Sequence, residues 1–172
     1  MSLTISKLTR RAFPAVLAVA SALNPAVAAT ASAAPAGANG GAVVPLRSIM
    51  RACDFSPIRG GAAQNNATAS SVIRATGGTV SAEVHLADAG SPGTHYDVQL
   101  IQSPRASNSP CVSGGPGVAV GGLDSDGSGQ ATSTVQDSIR PGTTGVWVFI
   151  QRPGQFSQAP TEFYTSDFVA PV

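Results

Sequence analysis

Beyond residue 45, apolar and polar positions alternate with a period of two, and no segment there repeats with a helical period. The clearest stretch is 79–102. In its first arm Val80, Ala82, Val84 and Leu86 alternate with Thr79, Ser81, Glu83 and His85; in its second Tyr96, Val98 and Leu100 alternate with His95, Asp97 and Gln99. One apolar face at period two predicts half-buried antiparallel strands. The Gly/Pro/Ser-rich segment between the arms reads as a hairpin turn centred near Gly90. Around it the same pattern recurs. A strand over 68–75 turns through Gly77-Gly78 into Thr79, and Gly-Gly between alternating runs is a hairpin signal. Runs 118–123 and 130–137 flank an Asp/Gly/Ser turn and read as another strand pair. Residues 145–151, GVWVFIQ, form the most apolar run, a central strand covered on both faces, with Trp147 in the core. The run 161–169 is the last strand, and 46–55 is an edge strand leading into Cys53. Seven or eight short antiparallel strands with Gly/Pro turns predict an all-β fold, a single β-sandwich of immunoglobulin-like type over 45–172.

The N-terminus changes where this domain is placed. Lys7, Arg10 and Arg11 precede a short Ala/Val/Leu-rich run interrupted by Pro14 and Pro25, and small-residue triplets end at Ala28 and Ala33. A basic region, an apolar region and a small-residue cleavage site make a secretory signal peptide over 1–33, with the second triplet favoured. The run is too interrupted to span a membrane, which takes about 20 consecutive apolar residues. Arg10-Arg11 before Ala12-Phe13 also partly matches the twin-arginine export signal, so both export routes stay open. A Gly/Ala-rich linker over 34–44 then leads into the domain. Asn66-Ala67-Thr68 matches the glycosylation sequon, a triplet frequent by chance.

Removing 33 of the 172 residues leaves 139, enough for one self-sufficient core. What remains holds no lysine, seven arginines and nine acids, for a net charge of −2. A mildly acidic domain without a basic cluster argues against nucleic acid and against an anionic membrane surface. Its only cysteines, Cys53 and Cys111, are far apart in sequence. In an oxidising compartment such a pair forms one structural disulfide, here pinning the turn-rich segment 103–117 to the N-terminal arm.

Several stretches together resemble a known group. VSAEVHL at 80–86, THYDVQLIQ at 94–102 with a cysteine soon after, the D-x-D-G-x-G turn at 124–129 and PTEFYTSDFVAPV at 160–172 are similar to a family of small, uncharacterised exported proteins of actinobacteria, including mycobacteria. The resemblance implies export and a compact β-domain from about residue 47 onward; it transfers no catalytic residue.

Two constellations bear on chemistry. With the hairpin turning near Gly90, His85 faces His95 and Glu83 faces Asp97. Opposed residues on one sheet face stand about 5 Å apart, near enough to share a divalent metal such as Zn²⁺ or Cu²⁺. Ordinary solvent-facing residues are the favoured reading of these four positions. Asp124-Ser125-Asp126-Gly127-Ser128-Gly129 shares D-x-D-G with calcium loops, but the twelfth position is Val135 where an EF-hand needs Glu, so a turn-forming role is favoured. There is no GxSxG, HExxH, Walker or dinucleotide motif. The sequence therefore predicts no cofactor and no catalytic residue. It predicts a secreted, extracytoplasmic binding or structural module of the cell envelope or extracellular space. That module has an unidentified partner and no membrane insertion once the signal is gone. Loops 103–117 and 151–160 are its expected contact surfaces. A small metal-binding protein using His85 and His95 is the alternative, and a hydrolase comes third.

Overall fold

Gly77 and Gly78 both adopt positive φ, 60° and 81°, and close a tight turn in which Thr76 lies opposite Thr79. Two consecutive positive-φ residues make the turn whose twist suits antiparallel strands, which is why Gly-Gly stands here. The strands it joins are β2 (Thr68–Thr76) and β3 (Thr79–Ala87). This computed structural model describes residues 41–59, 67–156 and 159–172. The expected signal peptide (1–33), linker residues 34–40 and the sequon's Asn66 lie outside the described residues.

The other strands are β1 (Gly41–Arg47), β4 (His95–Ser103), β5 (Val118–Asp124), β6 (Gln130–Ser138), β7 (Gly145–Arg152), β8 (Glu162–Ser166) and the short β9 (Ala170–Pro171). The described residues are thus all-β, with nine antiparallel strands in the order β5-β4-β7-β8-β1-β2-β3-β6 and β9 beside β7. The ladder divides into β6-β3-β2-β1 and β8-β7-β4-β5, joined where Leu46 meets Ser166 and Arg47 meets Thr165. At its far ends β5 and β6 close over each other without ladder pairing. A Cβ on Gly121 would come within 2.7 Å of Val135 Cγ2. The result is a sandwich-like, nearly closed sheet whose interior holds the alternating residues Val80, Val84, Tyr96, Val98, Val148 and Ile150, all fully buried.

Three expectations need correction. The arms of 79–102 are both strands, but they are not partners. β3 already has β2 on one edge and β6 on the other, and β4 lies between β5 and β7. Segment 88–94 instead crosses between the two halves, and residues from far along the chain hold it there. Asp88 N–H donates to Gly129 O at 2.8 Å, Thr94 N–H donates to Ser125 Oγ at 2.8 Å, and Ser125 Oγ donates to Ser91 O at 2.7 Å. For the same reason β5 and β6, expected to pair, ladder with β4 and β3 instead. Finally, strand structure begins at Gly41, inside the expected linker, and β1 is an interior strand between β2 and β8 because Val44 and Leu46 face the core.

The buried amide of Gln102 fixes the approach to β7. Its Nε2 donates to Asp137 Oδ2 at 2.7 Å and Ser138 O at 2.9 Å, while its Oε1 accepts from Arg140 N–H at 2.9 Å and Thr143 Oγ at 2.7 Å. No helix among the described residues is long and apolar enough to cross a membrane.

Candidate functional site

The outward face of β5, β4 and β7 can be read in cross-strand rows. Val118, Ile101 and Trp147 form the first, Val120, Gln99 and Phe149 the second, Gly122, Asp97 and Gln151 the third, and Asp124 with His95 the last. The face thus grades from apolar to charged, and a cover lies over its apolar end. Cys53 and Cys111 are bonded, with Cα atoms 5.5 Å apart, and join segment 48–59 to segment 104–117. Beneath them Ile101, Val118 and Trp147 form a second small core with Phe55 and Cys111. Phe55 meets Trp147 edge-on at 5.5 Å, and the Arg51 guanidinium sits 4.0 Å over the Phe55 ring. Thr165 Oγ donates to Ile49 O at 2.6 Å and secures the same cover. Trp147 is accordingly buried, as expected, though in this outer cluster and not in the main interior.

Where the cover stops, a groove of about 300 Å³ opens. His95, Asp97, Gln99, Gln151 and Val120 line it, with Ser113 contributed by the pinned segment. Gly122 adds no side chain to its β5 side, where a Cβ would come within 3.0 Å of His95 Cε1. Gln99 is 7% exposed, and its Oε1 has no hydrogen-bond partner among the described residues. His95 Nδ1–H donates to Asp124 Oδ1 at 2.6 Å, and its Nε2 lies 3.6 Å from Asp97 Oδ1. The bond to Asp124 raises the imidazole pKa above 6.5, and the charge of Asp97 acts in the same direction. A raised folded-state pKa contributes stability below pH 6.5 that is lost as pH rises through the folded value. Asp124→Asn is therefore expected to bring the His95 midpoint back toward 6.5 in an NMR titration; an unchanged midpoint would contradict the assigned contact.

The four residues of the alternative metal-site reading fall into two separate pairs. His85 on β3 lies opposite Ser70 and Thr132, with Nδ1 at 3.2 Å from Thr132 Oγ and Nε2 at 3.3 Å from Glu83 Oε1. Glu83 also pairs with Arg74 at 3.1 Å. His95 and Asp97 sit on the other half of the ladder, so His85 does not face His95 and Glu83 does not face Asp97. Among the described residues no group of three or more His, Cys, Asp or Glu is placed to hold a metal ion. In the calcium-like turn, Asp126 Oδ1 accepts from Ser128 Oγ at 2.7 Å, Ser128 N–H at 2.8 Å and Gln130 N–H at 3.0 Å. These bonds lower its pKa and show the motif serving as a turn cap.

A buried polar cluster at the end of the interior escaped the sequence reading. Glu162 accepts from Tyr164 Oη and, at 3.1 Å, from Tyr96 Oη, which lies 3.4 Å from Asp88 Oδ2; Arg152 Nη1 is 4.0 Å from Glu162. Burial pushes the Tyr96 hydroxyl up to about 12 and, with the bond to Glu162, raises that of Tyr164 as well. Since both folded values lie above the ordinary 10.0, the stability these hydroxyls contribute is intact below pH 10 and falls as pH rises beyond it. The chain's two tyrosines should give no phenolate absorbance near pH 10 while folded; ordinary titration there would contradict the cluster. Tyr164→Phe removes one donor from a buried carboxylate and is expected to cost about 1–3 kcal/mol in denaturant unfolding. A signal for the cluster existed: Glu162 shares its strand face with the buried Tyr164.

The fold and groove define a disulfide-bonded all-β domain with a small polar cleft beside its pinned cover. Comparison of the chain with models of known families, with curated proteins and with solved structures finds no match.

Proposed function

We propose that the chain is exported and that its domain works outside the cytoplasm as a binding or structural module of the cell envelope or extracellular space. The observation that carries this reading is the Cys53–Cys111 disulfide, which holds two loop segments over an otherwise open apolar face. Reducing compartments keep such thiols apart, whereas oxidising ones keep them joined. The signal pattern over 1–33 supports export, and on this reading the chain is one of the small actinobacterial exported proteins that its motifs resemble. On this reading the groove beside the pinned segment serves as a contact surface, since rigid scaffolds carry their binding groups at loops and clefts. The test is expression of the full chain in a bacterial host, followed by fractionation and N-terminal sequencing. The expected product is found in the medium or envelope and begins after Ala33 or Ala28. A full-length chain retained in the cytoplasm would overturn the reading.

A further inference from the structure

We propose that the groove beneath His95 receives a primary ammonium group, with Asp97 as its charge partner, Gln99 and Gln151 as amide acceptors, and Val120 against its alkyl stem. The inference rests on the reading of this domain as a binding module and names what its groove binds.

Three observations lead to it. The first is charge. Among the described residues Arg47, Arg74 and Arg152 each stand beside a carboxylate, of Asp167, Glu83 and Glu162, and Arg105 donates to the carbonyls of Pro110 and Pro116. Asp97 and Asp124 instead share one imidazole between them, so with His95 neutral the cluster holds two carboxylates and no cation. The second is the acceptor at Gln99. Its side chain lines the groove and is 7% exposed, and its Oε1 lacks a donor among the described residues. A buried acceptor left unpaired is destabilising, and turning the soft terminal amide torsion toward an incoming N–H recovers that bond. The third is shape. Gly122 leaves a groove of about 300 Å³ open beside His95, and Val120 stays 46% exposed at its edge.

An ammonium is a compact group with three donors and no acceptor, which matches a wall of carboxylate, amide and hydroxyl oxygens. Asp97, Gln99, Gln151 and Ser113 offer such acceptors from three separate parts of the chain. The chain's single lysine is Lys7, inside the expected signal, so the domain carries no ammonium side chain of its own to fill the groove. The proposed amine comes from outside the domain, either as a free alkylamine or as the lysine side chain of a partner protein.

The charged groups facing His95 are Asp124 from β5 and Asp97 from β4; β7 adds the uncharged Gln151. A protonated imidazole and a bound ammonium would draw on the same carboxylates, so binding should weaken as pH falls.

The experiment is a ¹⁵N chemical-shift titration of the purified oxidised chain at pH 8 with butylamine and with Nα-acetyl-lysine methylamide. Butanol and Zn²⁺ are run as separate arms. Both amines are expected to shift the amides of 95–99, 120–122 and 151. Affinity should fall several-fold between 20 and 300 mM salt, about as a single partly screened ion pair does. It should also fall at pH 5.5. Asp97→Asn should weaken binding about tenfold, roughly one charge-assisted contact, and Gln99→Leu several-fold. Asp54→Asn, away from the groove, should leave it unchanged. Tighter binding of the lysine derivative assigns the amine to a partner chain, and equal binding assigns it to a free amine. Equal shifts with butanol, or a response to Zn²⁺ that excludes the amines, would overturn the proposal. So would silence of these amides at 50 mM amine. Such a result leaves the export reading standing, because localisation and the disulfide are measured independently of any amine.

Discussion

Replacing Cys53 and Cys111 together by alanine is expected to lower unfolding stability by about 4 kcal/mol in the chain-entropy account, for a link spanning 58 residues. The larger consequence is local. Segments 48–59 and 104–117 make few strand contacts of their own, and the disulfide ties one to the other across Trp147. Phe55 has a φ of 71°, a conformation that a bulky side chain adopts at a cost, and without the disulfide its edge-on contact with Trp147 is held by fewer ties. Trp147 is the chain's only tryptophan, so its fluorescence reports the cover directly. The double variant should show red-shifted emission at denaturant concentrations where β-sheet circular dichroism is still native. An unmoved emission maximum with an unmoved unfolding midpoint would show that the cover does not depend on the disulfide.

Gly129→Ala is the second large effect. Gly129 has φ +80°, and a Cβ there would come within 1.9 Å of Asp88 O, a backbone atom that cannot swing aside. The same contact holds the chain crossing, because Gly129 O accepts from Asp88 N–H at 2.8 Å. Left-handed backbone costs a non-glycine residue about 1–2 kcal/mol, and displacing the crossing adds to it. A loss of about 3 kcal/mol or more is therefore expected in denaturant unfolding. Gly127→Ala, where a Cβ meets nothing within 4 Å, is the matched control and should cost far less. Equal effects of the two would contradict the described packing of the turn on Asp88.

These two positions also show what the sequence could and could not carry. Two cysteines admit a single pairing, so the disulfide was legible from count and compartment alone. Gly77-Gly78 was legible because a two-residue turn determines its own strand partners. The central strand at 145–151 was legible because its apolar run exceeds what one covered face needs. Alternation, however, says which way a side chain faces and nothing about which strand lies beside it. In β3 and β4 it correctly turned His85 and His95 outward, yet the choice of neighbours lay with Ser125 and Gly129, more than thirty residues further on, which hold segment 88–94 across the end of the nearly closed sheet. That crossing separates the two histidines and brings His95 to Asp124 instead. The groove was invisible for the same reason: Gln99, Gly122 and Gln151 become neighbours only once β4 lies between β5 and β7. The cluster around Glu162 needs Tyr96, 66 residues away, before a carboxylate on a core-facing position makes sense.

The cysteine redox state in the cell tests the central claim most directly. Cultures are quenched in acid, free thiols are alkylated without reduction, and the chain is recovered from the medium or envelope and weighed intact before and after reduction with a second alkylation. The account predicts no alkyl groups before reduction and two after it, with Cys53 and Cys111 joined in one peptide. Recovery of the chain with both thiols already alkylated would contradict it.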